Sequence, residues 1–84
     1  MDSVTYQNIM KIANGITLSY LTAIDNNDPN NIYVGFAEPG SLTSSAVWQV
    51  RKISISNGIT MVLSANGNVN FSNVWDDRIS FSYS

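Results

Sequence analysis

Residues 46–63 read Ala46-Val47-Trp48-Gln49-Val50-Arg51-Lys52-Ile53-Ser54-Ile55-Ser56-Asn57-Gly58-Ile59-Thr60-Met61-Val62-Leu63. Two runs rich in β-branched and aromatic residues flank an Asn-Gly pair, the strongest short-range hairpin signal. A two-residue Asn57-Gly58 loop pairs Ser56 with Ile59 and Ser54 with Met61, which mixes polar and apolar partners. A three-residue Ser56-Asn57-Gly58 loop pairs Ile55 with Ile59 and Ile53 with Met61, with Gly58 at the left-handed position of a bulge. Register follows the buried face, so the three-residue loop is the expectation, with Lys52, Ser54 and Thr60 facing solvent.

Outward from the hairpin the chain keeps the same character. Residues 16–24 alternate in part, with Ile16, Leu18 and Tyr20 on one face, and read as a strand. Asp25-Asn26-Asn27-Asp28-Pro29-Asn30-Asn31 reads as a loop, because Asx side chains close their own turns and Pro presets φ. Ile32 to Ala37 reads as a short strand in which Gly35 marks a bulge or a close backbone approach. Glu38-Pro39-Gly40-Ser41 is a turn, followed by small polar residues to Ser45. Asn66-Gly67-Asn68 is another turn, and Val69 and Phe71 alternate after it. Ile79-Ser80-Phe81-Ser82-Tyr83-Ser84 alternates almost perfectly and reads as a strand with one apolar face. Residues 1–14 read either as a helix capped by Ser3 and ended by Gly15, or as an arm or strand sharing Val4, Tyr6, Met10 and Ile12. The expected fold is a single all-β domain over 1–84. It is an antiparallel sandwich or partly open barrel of five to six short strands.

The 84-residue composition excludes more than it reveals. Without His or Cys, the common zinc, iron–sulfur and haem sites and His-dependent nucleophilic catalysis fall away. No metal or other cofactor is expected. Four basic residues against six acidic give net charge −2, which disfavours nucleic-acid and basic membrane-surface roles. No apolar run reaches the length of a membrane span, and no basic segment followed by an apolar stretch suggests a signal peptide. Charged residues are only 12%, while Ser, Asn and Thr fill 28 of the 84 positions. A chain this short, without disulfide or metal, is expected to gain stability from oligomerisation or from docking onto a larger assembly.

Local constellations support no catalytic reading. Asp76 and Asp77 are neighbours, and on an extended chain their side chains point to opposite faces rather than across a scissile bond. The Asp25–Asn30 stretch lacks the Gly and Glu of a calcium loop. Pro39-Gly40 lacks the Lys and glycine spacing of a phosphate loop. Trp48 and Trp75 read first as core, and otherwise as interface anchors or sugar-stacking platforms.

From residue 33 the chain reads Tyr33-Val34-Gly35-Phe36-Ala37-Glu38-Pro39-Gly40, then Thr43-Ser44-Ser45-Ala46-Val47-Trp48-Gln49-Val50-Arg51-Lys52-Ile53. Gly67-Asn68, Phe71-Ser72-Asn73-Val74-Trp75-Asp76-Asp77-Arg78 and Tyr83 follow. This pattern, over residues 33–84, resembles a family of small tailed-bacteriophage proteins. The resemblance carries no catalytic residues. It implies a non-enzymatic virion component, assembled in the bacterial cytoplasm and attached to the capsid surface as a decoration, or to the neck or tail. The expected partners are other capsid or tail subunits, including further copies of the chain, and neither nucleic acid nor membrane. A carbohydrate- or host-surface-binding module of the tail or fibre is the alternative. The candidate partner contacts are Trp75, Asp76, Arg78, Tyr33 and Trp48.

Overall fold

The computed structural model describes residues 20–84. The expected arm, strand or helix at 1–14, residues 16–19 of the first strand and the Asn14-Gly15 turn lie outside them. The described chain is antiparallel and all-β, as its turn chemistry and alternation predict. Strands β1 (Leu21–Asp28), β2 (Asn31–Ala37), β3 (Ala46–Ser56) and β4 (Ile59–Ser64) form an open meander in sequence order. A short β5 (Asn73–Val74) pairs with the first part of β3, and a 3-10 helix follows over Trp75–Ser80. At eleven residues, β3 is the spine, paired with β2 on one side and with β4 and β5 on the other.

The core lies on one face of this sheet. Trp48 and Val50 of β3 project there, beside Gly35 and Ala37 of β2, and Trp75 and Ala65 complete the buried set. No second sheet covers it among the described residues. The cover is the 3-10 helix and the tail behind it, through Trp75, Phe81 and Tyr83. Gly35 is the close approach that its sequence setting predicts. A Cβ there would stand 2.5 Å from Trp75 Cε3 and 2.9 Å from Trp48 Cε3. The two indoles, with centroids 5.7 Å apart, occupy the space that any other residue would fill.

Several expectations are corrected. The β3–β4 hairpin turns in two residues: Ser56 pairs with Ile59, Ser54 with Met61 and Ile53 with Val62. Asn57 (φ 52°) and Gly58 (φ 78°) are both left-handed, as a type I′ turn requires. The argument from a buried face fails because Ile59 and Met61 stay 62% and 53% exposed. With little burial at stake in either register, the twist match of the I′ turn decides. Lys52 and Ser54 accordingly share the face of Trp48 and Val50, while Ile53 and Ile55 point away from it.

The Asp25–Asn31 loop shrinks to Pro29-Asn30, and β1 and β2 pair through to Asp28 and Asn31 with a bulge between Asp25 and Asp28. Asx chemistry still shapes it. Asn27 N–H donates to Asp25 Oδ1 at 3.1 Å, and Asn30 N–H donates to Asp28 Oδ1 at 2.9 Å. The Val69–Phe71 alternation forms no strand. The expected strand from Ile79 is a helical turn through Ser80, with Ile79 72% exposed, and then a single bridge from Ala65 to Tyr83. The 3-10 turn is what sets Trp75 on Gly35, so it removes Ile79 from the strand. Phe81 and Tyr83 keep their inward alternation and pack on the core.

The Gly35→Ala substitution is expected to lower stability by about 1–3 kcal/mol through overpacking against the two indoles. Urea unfolding followed by tryptophan fluorescence measures it. Gly58→Ala, which places a Cβ at a left-handed position with open space around it, is expected to cost about 1–2 kcal/mol. An unchanged urea midpoint would contradict the I′ turn.

Candidate functional site

Four of the five residues singled out from the sequence converge on the covered face, and one points outward. Trp48 is 1% exposed and Trp75 7%. Trp48 Nε1 donates to the Leu42 carbonyl at 3.0 Å, so its indole is satisfied inside the fold. Buried as they are, Trp48 and Trp75 belong to the core and offer a partner almost no surface.

Arg78 ties the helical turn to β1. Its guanidinium lies over the Trp75 ring at 4.7 Å, and Nε donates to Asp25 Oδ2 at 3.0 Å. Nη1 reaches the Trp75 carbonyl at 3.3 Å, and the Arg78 carbonyl accepts the Tyr83 hydroxyl at 2.6 Å. Tyr33 stands 5.7 Å from Tyr83, and Lys52 Nζ lies over both rings at 5.8 and 5.6 Å. These contacts explain why a lysine is tolerated on the core face: its stem packs, and its charge meets two aromatic faces. Asp76 is exposed; its backbone N–H donates to the Thr43 carbonyl at 3.1 Å.

Asn73 is a member of this cluster that residue type did not flag. It is buried, donates to the Trp48 carbonyl at 3.0 Å and the Asn70 carbonyl at 3.3 Å, and accepts from Asn66 Nδ2 at 3.1 Å. Its place in the Phe71–Arg78 motif gave it no role, and an Asn just ahead of an apolar pair reads equally well as a turn.

Electrostatics follow from these contacts. The Asn27 backbone N–H, and then the Arg78 guanidinium, hold the Asp25 carboxyl below its ordinary value. Asn31 and the Asn30 N–H do the same for Asp28. Burial, with the Tyr33 phenol adding to it against the Arg78 charge, pushes the Tyr83 phenol up to about 12. Among the described residues, no cluster of three His, Cys, Asp or Glu side chains could hold a metal ion, and no helix is long and apolar enough to cross a membrane.

A second surface has the opposite character. From Ile53 to Trp75 the chain runs 23 residues without a charge. The β3–β4 hairpin projects beyond the core, and Ile59, Met61 and Val62 are all more than half exposed. The β3–β4 ladder is continuous, without a bulge, and β4 carries no Pro and no charged side chain. Natural sheets usually protect an edge with one of these devices. Part of this edge already accepts a strand: Ser64 and Ser84 exchange both backbone hydrogen bonds at 2.9 and 3.2 Å. From the hairpin register, the N–H and C=O groups of Thr60 and Val62 face outward along the remainder.

Comparison with protein-family models, with curated proteins and with solved structures found no match for this chain.

The depressed Asp25 carboxyl sets a pH dependence. The folded state binds this proton more weakly than the unfolded chain, so the contribution is complete above the ordinary aspartate value of about 4 and is lost as pH falls through the lower folded value. The acid limb of thermal stability is expected to be shallower in Asp25→Asn than in the parent, with Asp28 supplying part of what remains. Superimposable acid limbs from a calorimetric pH series would contradict the pairing.

Proposed function

We propose that this chain is a non-enzymatic structural component of a tailed-bacteriophage virion, held on the capsid surface or at the neck or tail by neighbouring subunits. The observation that carries the reading is the uncharged, apolar end of the β3–β4 hairpin beyond Lys52, whose outer edge at Thr60 and Val62 is unpaired among the described residues. An edge whose Thr60 and Val62 N–H and C=O groups have no partner among the described residues, beside exposed Ile59, Met61 and Val62, suits addition of a strand or burial against a partner. Low charge removes the long-range repulsion that would oppose dense packing of copies. In a symmetric particle, many weak contacts of this kind add up to firm attachment. The sequence pattern over residues 33–84 supports the same reading.

The carbohydrate-binding alternative drew on Trp48, Trp75 and the four Tyr as stacking platforms; both indoles are buried against Gly35, and Tyr33 and Tyr83 are part-buried beside each other and Lys52. Among the described residues the exposed aromatics are Tyr20 and Phe71, which stack on each other at 5.4 Å beside an open groove shared with Glu38, Ser41 and Val47. A glycan array is expected to give no signal.

Purified particles are expected to contain the protein at a fixed, symmetry-related copy number. Its confinement to infected-cell lysate would sink the proposal. Met61→Lys places a charge on the exposed hairpin and is expected to leave folding stability within about 0.5 kcal/mol. Incorporation into particles is expected to fall at least about tenfold, since burying an unpaired charge at a contact costs more than the 1.4 kcal/mol that corresponds to that factor.

A further inference from the structure

Among the described residues Asn-Gly occurs twice, at Asn57-Gly58 and at Asn66-Gly67. The two pairs share one backbone conformation. Asn57 (φ 52°) and Asn66 (φ 55°) are both left-handed, and so are Gly58 (φ 78°) and Gly67 (φ 70°). All four residues are exposed. What separates the pairs is how they are tied. Asn66 Nδ2 donates to the Oδ1 of buried Asn73 at 3.1 Å, the Gly67 N–H donates to the Ser64 carbonyl at 3.1 Å, and the Asn66 N–H donates to the Ser82 carbonyl at 2.7 Å. Ala65, just before, is fully buried and donates to the Val50 carbonyl at 3.0 Å. At the other turn, neither the Asn57 amide nor the Gly58 N–H has a hydrogen-bond partner among the described residues. That turn is the tip of the β3–β4 hairpin, closed by the Ser56–Ile59 pair, and a Cβ at Gly58 would meet nothing within 4 Å.

We infer that Asn57 is a site of spontaneous covalent modification, by cyclisation onto Gly58 and hydrolysis to aspartate and isoaspartate, and that the same dipeptide at Asn66 is protected. The asparagine amide is thermally labile, and a following glycine, having no Cβ, leaves its nitrogen open to close approach. The Gly58 amide gives its proton to a solvent base, and its nitrogen attacks Asn57 Cγ. A bond forms between Cγ and that nitrogen, the Cγ–Nδ2 bond breaks, and Nδ2 takes a proton from solvent and leaves as ammonia. Water then opens the cyclic imide. Addition of water at Cγ gives aspartate, and addition at the main-chain carbonyl carbon of residue 57 gives isoaspartate. The attack requires the side-chain amide and the next backbone nitrogen to move together out of the turn conformation. At Asn57 no hydrogen bond of either group resists that movement, whereas at Asn66 the ties to Asn73 and Ser64 must both break. Local opening of this kind follows the number of bonds and the burial that hold a segment. Both products alter the hairpin. Each adds a carboxylate to the 23 residues from Ile53 to Trp75, which carry no charge. Isoaspartate also lengthens the main chain by a methylene inside a two-residue turn whose geometry matches the strand twist.

Neither the site nor its test depends on what the hairpin meets in a particle. The full chain is incubated in a mildly alkaline buffer, native in one sample and unfolded in guanidinium in another. Trypsin releases residues 53–78 as one peptide that carries both pairs. Mass spectrometry with electron-transfer fragmentation then assigns each amide-to-acid exchange and distinguishes aspartate from isoaspartate. In the native chain Asn57 is expected to convert at least about tenfold faster than Asn66, and in guanidinium the two rates are expected to agree within about twofold. Equal native rates would overturn the inference. A ratio that persists in guanidinium would assign the difference to neighbouring sequence and overturn it too. So would a native Asn57 still unconverted when the unfolded chain has fully reacted.

Discussion

The contact of two indoles on the bare backbone of Gly35 is the constraint on which the rest of this structure depends. A Cβ at that position would overlap Trp75 and press on Trp48. With hydrogen there instead, Trp75 settles on the centre of β2 and Trp48 lies beside it. Everything that covers the core then follows from how Trp75 is delivered. β5 pairs with Ala46 and Trp48 of β3, the chain turns at once into a 3-10 helix, and Arg78 clasps Trp75 from above while reaching Asp25 on β1. Tyr83 returns to the Arg78 carbonyl and closes the cap. One small residue thus permits a layer that a single sheet of this size could not otherwise assemble.

The polar side of the fold is arranged around the same point. Asn73 satisfies the Trp48 carbonyl where the partner of β3 changes from β4 to β5, and the Ala65 N–H satisfies the Val50 carbonyl next to it. Among the described residues, every buried side-chain nitrogen or oxygen has a hydrogen-bond partner. The abundance of Asn is therefore divided between jobs. Asn57 and Asn66 hold left-handed turn positions, Asn31 donates its amide to Asp28 Oδ2 in the β1–β2 hairpin, Asn68 closes an Asx turn by accepting from the Asn70 N–H, and Asn73 supports the spine from inside.

Local chemistry was legible in the sequence, and long-range packing much less so. The Asn-Gly turns, the Glu38–Ser41 turn and the close approach at Gly35 all follow from backbone preferences that act within a few residues. The hairpin register was misread because a rule about buried faces was applied where little is buried. Its apolar phase also shifts between Val50 and Ile53, across Arg51-Lys52, and that shift sends the two isoleucines to the face opposite Trp48. The alternation from Ile79 to Tyr83 was real only from Phe81 onward, because the placement of Trp75 on a distant strand outweighs a local pattern. Trp75, Arg78 and Tyr33 were selectable by residue type, but their convergence with Asp25 and Lys52 joins positions up to 53 residues apart, which spacing alone does not encode.

The cap comes from the far side of the sequence, and this divides the contacts that build the fold into two kinds. Strands β1 to β4 are complete at Ser64 and pair each with its neighbour in the chain, whereas the residue that covers their core is Trp75. The meander therefore rests on contacts of short sequence separation, and its roof on a contact between Trp75 and Gly35 that closes a loop of 40 residues. Contacts of that separation are the slow ones to form. Until that contact forms, Trp48 and Val50 lie on an open sheet, and that state exposes the largest buried side chains of the fold to other chains.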